Sequence, residues 1–162
     1  LLVDDMVGAH SAIEAGLRFV EQHGLMRPRQ FLYSTRGEIA LADGALEEAE
    51  SWFLRGQAEA RFYDNLTQVA NIQAHLGRVA HAQGDLGRAE QLLTAARAAV
   101  SPEGAHFLQI QIELWLGTLY LDQGNPQATQ AIIARTQKQL AHAERTALHG
   151  KLDALTKQMV GR

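Results

Sequence analysis

The chain has 162 residues, of which 46% are hydrophobic and 20% charged, a composition typical of one globular domain. Its formal net charge of −3 gives no general attraction for nucleic acid or an anionic membrane, so we expect neither as a direct partner. The absence of cysteine excludes disulfides, thiolate catalysis and cysteine-ligated metal sites, and is compatible with the cytoplasmic location that we expect.

The chain begins LLVDDMVGAH, without an initiator methionine and without the basic segment of a signal peptide. We therefore expect it to be a fragment of a longer protein. No apolar run approaches the roughly 18 residues that a membrane-spanning helix requires.

Helix-forming residues dominate the whole chain, and strand-like alternation is absent. The predicted helices, in chain order, are residues 4–23, 28–43, 45–61, 65–83, 85–99, 102–122, 126–140 and 143–160. Three helix starts have a predicted N-cap: Asp64, Ser101 before Pro102, and Asn125 before Pro126. In the last helix, Leu148, Leu152, Leu155 and Met159 form one apolar stripe. The fold class predicted from these features is all-α.

Three segments repeat at an interval of 40 residues: GEIALADGALEEAESWF, GRVAHAQGDLGRAEQLL and GTLYLDQGNPQATQAII. A partial copy, DDMVGAHSAIEAG, precedes them. The equivalent positions include Gly37, Gly77 and Gly117; Gly44, Gly84 and Gly124; Ala49, Ala89 and Thr129; and Phe53, Leu93 and Ile133. Each copy predicts a helix, a tight turn and a second helix.

Each repeated position has a predicted packing role. The first glycine of a copy lies inside a helix, where it lets the neighbouring helix approach closely. It is predicted to face the small residue of the same copy, which is Ala49, Ala89 or Thr129. The second glycine ends the first helix in the left-handed conformation that glycine favours. The large residue of each copy, which is Phe53, Leu93 or Ile133, fills the space between the helices.

The segments WLGTLY and HLGRVA, with small and large residues at fixed positions in the second helix, resemble the tetratricopeptide repeat. The segment STRGEIA departs from that pattern because Arg36 stands where leucine is expected, and Thr129 replaces the usual alanine. The resemblance implies an α-α superhelix, a solenoid of helix-turn-helix repeats: a half repeat at 4–23, repeats at 28–61, 65–99 and 102–140, and a terminal helix at 143–160 that caps the array or leads into another domain. HEAT and armadillo arrays share the 40-residue period but lack the glycine signature, so they rank second.

No motif for catalysis or for a cofactor is present. The chain contains neither a phosphate-binding glycine loop nor an HExxH metal motif, and the acidic pairs suit helix starts. Seven histidines are present; His75 and His81 do not share a helix face, whereas His142 and His149 do. An enzyme therefore ranks third among the functional hypotheses, and we expect no cofactor and no metal.

In tetratricopeptide proteins the first helix of each pair lines a concave binding groove. By position, the resemblance assigns to this groove Ser34, Glu38, Leu41, Asn71, His75, Arg78, His81, Gln111, Trp115, Thr118 and Asp122. Asparagine and arginine at such sites can hold a peptide backbone or a carboxylate. The alternative is that these residues are solvated, and that Trp115 packs between helices.

The first functional hypothesis is a non-catalytic module that binds a protein or peptide. The second is the effector-sensing segment of a bacterial signal-responsive transcription regulator, since repeats of this length resemble those of the maltose-type, LuxR-tailed activators and of peptide-sensing regulators.

Overall fold

The computed structural model describes residues 3–100, 105–141 and 147–161. Within these ranges the chain forms eight α-helices and no strand, so the all-α prediction is confirmed. The helices are α1 (Val3–Gln22), α2 (Arg29–Ala42), α3 (Leu46–Phe62), α4 (Leu66–Ala82), α5 (Leu86–Ala99), α6 (His106–Asp122), α7 (Pro126–Leu140) and α8 (Ala147–Val160). None of the helices in the described part of the chain has the length and apolar character needed to cross a bilayer.

The turns between paired helices have the predicted glycine geometry. Gly44, Gly84 and Gly124 have φ angles of +77°, +81° and +73°, the left-handed region that a side chain would strain. Asn125 caps α7 as predicted, because its side chain accepts a hydrogen bond from the backbone N–H of Ala128 at 3.1 Å.

Two predicted helix starts are wrong. Asp64 is not the N-cap of α4; it follows the preceding helix with φ +53°, in the place that glycine takes elsewhere. The cap is Asn65, whose side chain accepts a hydrogen bond from the backbone N–H of Gln68 at 3.2 Å. Helix α6 begins at His106 instead of residue 102, with Ala105 at its N-cap position and no side-chain cap. The predicted cap at Ser101 lies outside the described residues, as does the predicted start of the last helix at 143.

The helices form two layers. Each helix contacts the next one along the chain, and α2, α4, α6 and α8 also contact one another in series. Among the described residues, the odd-numbered helices make no such contacts with each other. One layer therefore consists of the first helix of each pair, with α8 added at its end.

The glycines inside the first helices permit the predicted close approach, but the predicted facing residue is wrong: the nearest side chain is the large residue of the pair, and not Ala49 or Ala89. A Cβ atom on Gly77 would lie 2.7 Å from Cγ of Leu93 and 3.3 Å from the carbonyl oxygen of Ala89. A Cβ atom on Gly37 would lie 2.7 Å from the ring of Phe53. The two distances of 2.7 Å are shorter than van der Waals contact, so with alanine in place of either glycine the second helix could not pack as closely as it does.

The third pair departs from this scheme. A Cβ atom on Gly117 would meet Leu155 of α8 at 2.7 Å and Ile132 at 3.3 Å, whereas Ile133 packs among the residues that contact α8. Thr129 does adjoin the glycine, since its hydroxyl donates to the carbonyl oxygen of Gly117 at 3.1 Å. The predicted apolar stripe of α8 is buried against α6 and α7 at Leu148, Leu152 and Leu155, with Met159 half-buried beside them.

Candidate ligand-binding site

The helices α2, α4, α6 and α8, together with α1, surround a cavity of about 480 Å³. We name it the Trp115 cavity; it is lined by Ala9, Thr35, Glu38, Ile39, Ala42, Arg78, Gln111, Trp115 and Lys151. Two neighbouring cavities, of about 390 and 230 Å³, also have Trp115 on their walls. The indole therefore stands at the centre of a continuous recessed surface.

The 40-residue period explains why these side chains meet. Glu38, Arg78 and Thr118 occupy equivalent positions of α2, α4 and α6, which are adjacent in one layer. Gln111 and Lys151 are likewise 40 residues apart, on α6 and α8. Equivalent positions of adjacent helices lie side by side, so a single face of the layer collects them.

Arg78 and Lys151 both approach the ring of Trp115. The guanidinium carbon of Arg78 lies 4.8 Å from the ring centroid, and Nζ of Lys151 lies 5.9 Å from it. Cations at these distances are attracted by the negative face of the indole. This attraction stabilises two like charges in the same cavity.

Burial shifts the pKa values of all three charged groups in the cavity. Desolvation raises the pKa of Glu38, although Arg78 and Lys151 act in the opposite direction. Desolvation also lowers the pKa of Arg78 and that of Lys151, and the neighbouring Arg78 lowers the latter further. Two cations share the cavity with one carboxylate, which leaves an excess of positive charge around the half-buried Arg78, while Glu38 and Lys151 are exposed. Such a cavity favours an anionic ligand group.

His75 lies beneath the cavity and holds Arg78 in place. Its side chain is 3% exposed and packs between the rings of Phe53 and Trp115, with centroid distances of 5.1 Å to each. Burial, with Arg78 and Lys151 nearby, lowers the pKa of His75 to about 3, so the ring is neutral at physiological pH.

The neutral ring can serve both of its polar neighbours. Nη1 of Arg78 donates to Nδ1 of His75 at 3.1 Å, which places the ring proton on Nε2, 3.5 Å from Oε1 of Glu38. His75, predicted to face the groove, is thus a supporting residue that orients Arg78.

The neighbouring 390 Å³ cavity is lined by the predicted residue Leu41, together with Arg78 and Trp115. His81 and Thr118 also line it. Nε2 of His81 lies 2.9 Å from Oδ2 of Asp122, so these two groups pair across α4 and α6. The hydroxyl of Thr118 donates to the carbonyl oxygen of Leu114 at 3.1 Å.

Two other predicted residues lie apart from the Trp115 cavity. Asn71 donates from its amide to Oε1 of Gln68 at 3.4 Å, one turn before His75. Ser34 is buried, and its backbone N–H lies against α3 at Gly56. Glu38, Arg78, Gln111 and Trp115 are therefore the predicted residues that the Trp115 cavity brings together.

Lys151 is a cavity residue that the sequence prediction misses. A terminal helix that caps the array or leads into another domain has no assigned place on the binding face, so its polar residues are not among the predicted groove residues. The signal is present in the period, because residue 151 lies 40 positions after Gln111.

In the described part of the chain, no three histidine or acidic side chains converge on a point where they could hold a metal ion. Compared with models of known protein families and with curated proteins, the chain matches none. Function must therefore be argued from the Trp115 cavity itself.

Proposed function

We propose that the chain is an α-α superhelix of tetratricopeptide-like repeats and a non-catalytic module that binds a protein or peptide. The layer of first helices, with α8 at its end, would line the binding groove. The 40-residue period, the two glycines per pair and the serial contacts of the even-numbered helices support this assignment.

The observation that carries the proposal is the charge of the Trp115 cavity. Arg78 and Lys151 flank the indole, and Glu38 supplies the only carboxylate among the described residues that line the cavity. Arg78 offers a planar pair of donors, and Lys151 offers a mobile point charge. An acidic side chain or a free carboxylate of a peptide would pair with both while its apolar neighbours pack on Trp115.

The second candidate is the effector-sensing segment of a bacterial signal-responsive transcription regulator. The volume of about 480 Å³ favours it, because cavities of this size hold small organic molecules as well as peptide side chains. In that case the same two cations would bind an anionic effector.

The experiment is selection of peptides from a random library on the immobilised domain. We expect acidic peptides to be enriched, and we expect Arg78→Gln and Lys151→Gln each to weaken a selected fluorescent peptide by roughly tenfold to a hundredfold. The matched control is Lys157→Gln, an exposed lysine in the last turn of the same helix as Lys151.

The proposal would be contradicted if the selected peptides bound Arg78→Gln and Lys151→Gln as tightly as they bind Lys157→Gln. If no peptide is selected, and a screen of small organic anions instead raises the melting temperature only while Arg78 is intact, the second candidate takes precedence.

A further inference from the structure

A second cavity, of about 580 Å³, lies on a different face of the molecule. We name it the Phe62 cavity; its walls include Met26, Arg29, Tyr33, Arg55, Phe62 and Tyr63. At about 100° per residue, Arg29 and Tyr33 lie on the face of α2 roughly opposite to Glu38. The two cavities therefore have separate openings.

The Phe62 cavity has an unusually exposed apolar wall. Phe62 is 78% exposed and Met26 is 48% exposed. Tyr63 meets the edge of Phe62 with a centroid distance of 5.0 Å, so the two rings form one apolar corner. Large apolar side chains grouped at a recess are typical of a surface that a ligand covers.

The arginines of the cavity are poorly matched by carboxylates. Among the described residues, Arg29 pairs only with a carboxylate oxygen of Glu59 at 3.9 Å, and its buried Nε has no hydrogen-bond partner. No carboxylate of the described residues forms an ion pair with Arg55, whose guanidinium carbon lies 4.9 Å above the ring of Trp52. The lining thus contains two guanidinium groups and the carboxylate of Glu59, which pairs with Arg29 alone among the described residues.

The third helix pair shows what an internal partner would look like. At the positions 80 residues after Tyr33 and Arg55 stand Glu113 and Arg135, which form an ion pair at 3.0 Å. In the first pair, tyrosine replaces the glutamate, and the arginine has no carboxylate among the described residues. Among the described residues, the arginine at this place in the repeat therefore has an internal carboxylate partner in the third pair and none in the first.

We infer that the Phe62 cavity is a second binding site, for a small organic anion with a flat apolar body, such as an aromatic carboxylate or sulfonate. The anionic group would pair with Arg29 and Arg55, and the apolar body would lie on Phe62 and Tyr63. The volume is within the range of small-molecule sites. This inference does not depend on the function proposed for the Trp115 cavity.

The test uses two fluorescent dyes with the same aromatic body: anilinonaphthalenesulfonate, which is an anion, and N-phenylnaphthylamine, which is neutral. We expect the folded chain to bind the anion at least about tenfold more tightly than the neutral dye, because only the anion forms charge-assisted hydrogen bonds. Arg55→Gln and Arg29→Gln should each remove most of that preference, whereas Phe62→Ser should weaken both dyes.

The control variant is Arg61→Gln, an exposed arginine of α3 outside the cavity lining, which should bind the anionic dye like the unmodified chain. Lys151→Gln leaves the Phe62 cavity unchanged and therefore separates dye bound there from dye bound in the Trp115 cavity. Melting temperatures check that every variant is folded; Phe62 is exposed, so its loss should not unfold the domain.

Equal affinity for the two dyes, unchanged in Arg55→Gln, would show an apolar patch only and would overturn the inference. Loss of dye binding in Lys151→Gln would place the dye in the Trp115 cavity and would also overturn it. Binding of an acidic amphipathic peptide without binding of the dye would replace the small molecule by a protein partner and overturn the inference as well.

Discussion

The first two helix pairs and the third pair place a glycine at the same position but fill the space beside it differently. Beside Gly37 and Gly77 the filling residue comes from the second helix of the same pair, as Phe53 and Leu93. Beside Gly117 it is Leu155, which belongs to α8. The first two pairs close on themselves, whereas the third pair is completed by a helix that follows it.

This difference connects the core to the Trp115 cavity. Leu155 fixes α8 against α6, and Lys151 lies one turn earlier on the same helix. Packing at Gly117 thereby brings a second cation to Trp115. We therefore expect changes that loosen α8 to affect both the stability of the third pair and the position of Lys151 beside Trp115.

The largest expected effect comes from truncating the filling residues. Leu93→Ala and Leu155→Ala should each lower the free energy of unfolding by about 2–5 kcal/mol, since both side chains are buried. In a Trp52→Phe background, Leu155→Ala should also shift the emission of Trp115 to longer wavelength, since Leu155 and Trp115 line the same small cavity. Urea unfolding and fluorescence spectra measure the two effects. An unchanged emission of Trp115 in Leu155→Ala would contradict the role of Leu155 in placing α8 beside the indole.

His75 of the middle pair, which occupies the position of Trp115 in the third pair, should make the stability of the chain depend on pH. The unfolded chain takes up a proton on this histidine near pH 6.5, whereas in the folded chain burial lowers its pKa to about 3. Stability should therefore fall as the pH falls between these values, by up to about 1.4 kcal/mol per pH unit.

His75→Gln should lose this component of the pH dependence while keeping the contributions of the other titrating groups. Urea unfolding at a series of pH values measures the slope for both proteins. Identical slopes below pH 6.5 would mean that the buried ring is protonated in the folded state.

Substitution of the packing glycines by alanine should have different effects on stability in the second and third pairs. Gly77→Ala should lower the free energy of unfolding by about 1–3 kcal/mol, because the branched Cγ atom of Leu93 and the carbonyl oxygen of Ala89 cannot both move away from the new methyl group. Gly117→Ala should cost less, since it meets the flexible end of Leu155.

Gly150→Ala is the matched control. A Cβ atom on Gly150 would have no other described atom within 4 Å, so the helix propensity of alanine should stabilise α8 by about 1 kcal/mol. Urea midpoints rank the three variants. A larger loss in Gly117→Ala than in Gly77→Ala would contradict the assigned contacts.

The helices and the close approach at the glycines of the first two pairs could be predicted from the sequence because those features repeat, although the side chains beside these glycines are Phe53 and Leu93 and not the predicted small residues. The contacts between helices at positions where the repeated residue changes could not be predicted from the sequence. Arg36 stands where later pairs have Leu76 and Leu116, and its guanidinium lies 3.0 Å from Glu48 and 3.6 Å from Glu14. Such a polar junction joins residues of three helices, and a comparison of equivalent positions in the repeats does not show which of them meet.

The Trp115 cavity was predictable in part for the same reason. Arg78 and Trp115 are marked by their distance from the repeated glycines, whereas Lys151 lies in a helix with no glycine at the repeated position. The burial of His75 depends on the rings of Phe53 and Trp115, which meet only in the folded chain.

The smallest expected effect is that of Thr129→Ala. It removes the hydrogen bond to the carbonyl oxygen of Gly117 and restores the alanine of the first two pairs. The cost should be about 0.5–1.5 kcal/mol, with no change in the emission of Trp115. Urea unfolding of the single variant provides the value; a loss comparable to that of Leu155→Ala would show that this contact, and not Leu155, holds the third pair.

Helix α8 brings Lys151 beside Arg78 and so makes the surroundings of Trp115 electropositive. The direct measurement is quenching of Trp115 fluorescence by iodide, relative to neutral acrylamide, in a Trp52→Phe background at low ionic strength. Lys151→Gln should reduce the iodide-to-acrylamide ratio about twofold or more, because one nearby positive charge is lost, and Lys157→Gln should leave it unchanged. An unchanged ratio in Lys151→Gln, or an equal reduction in Lys157→Gln, would contradict this role of α8.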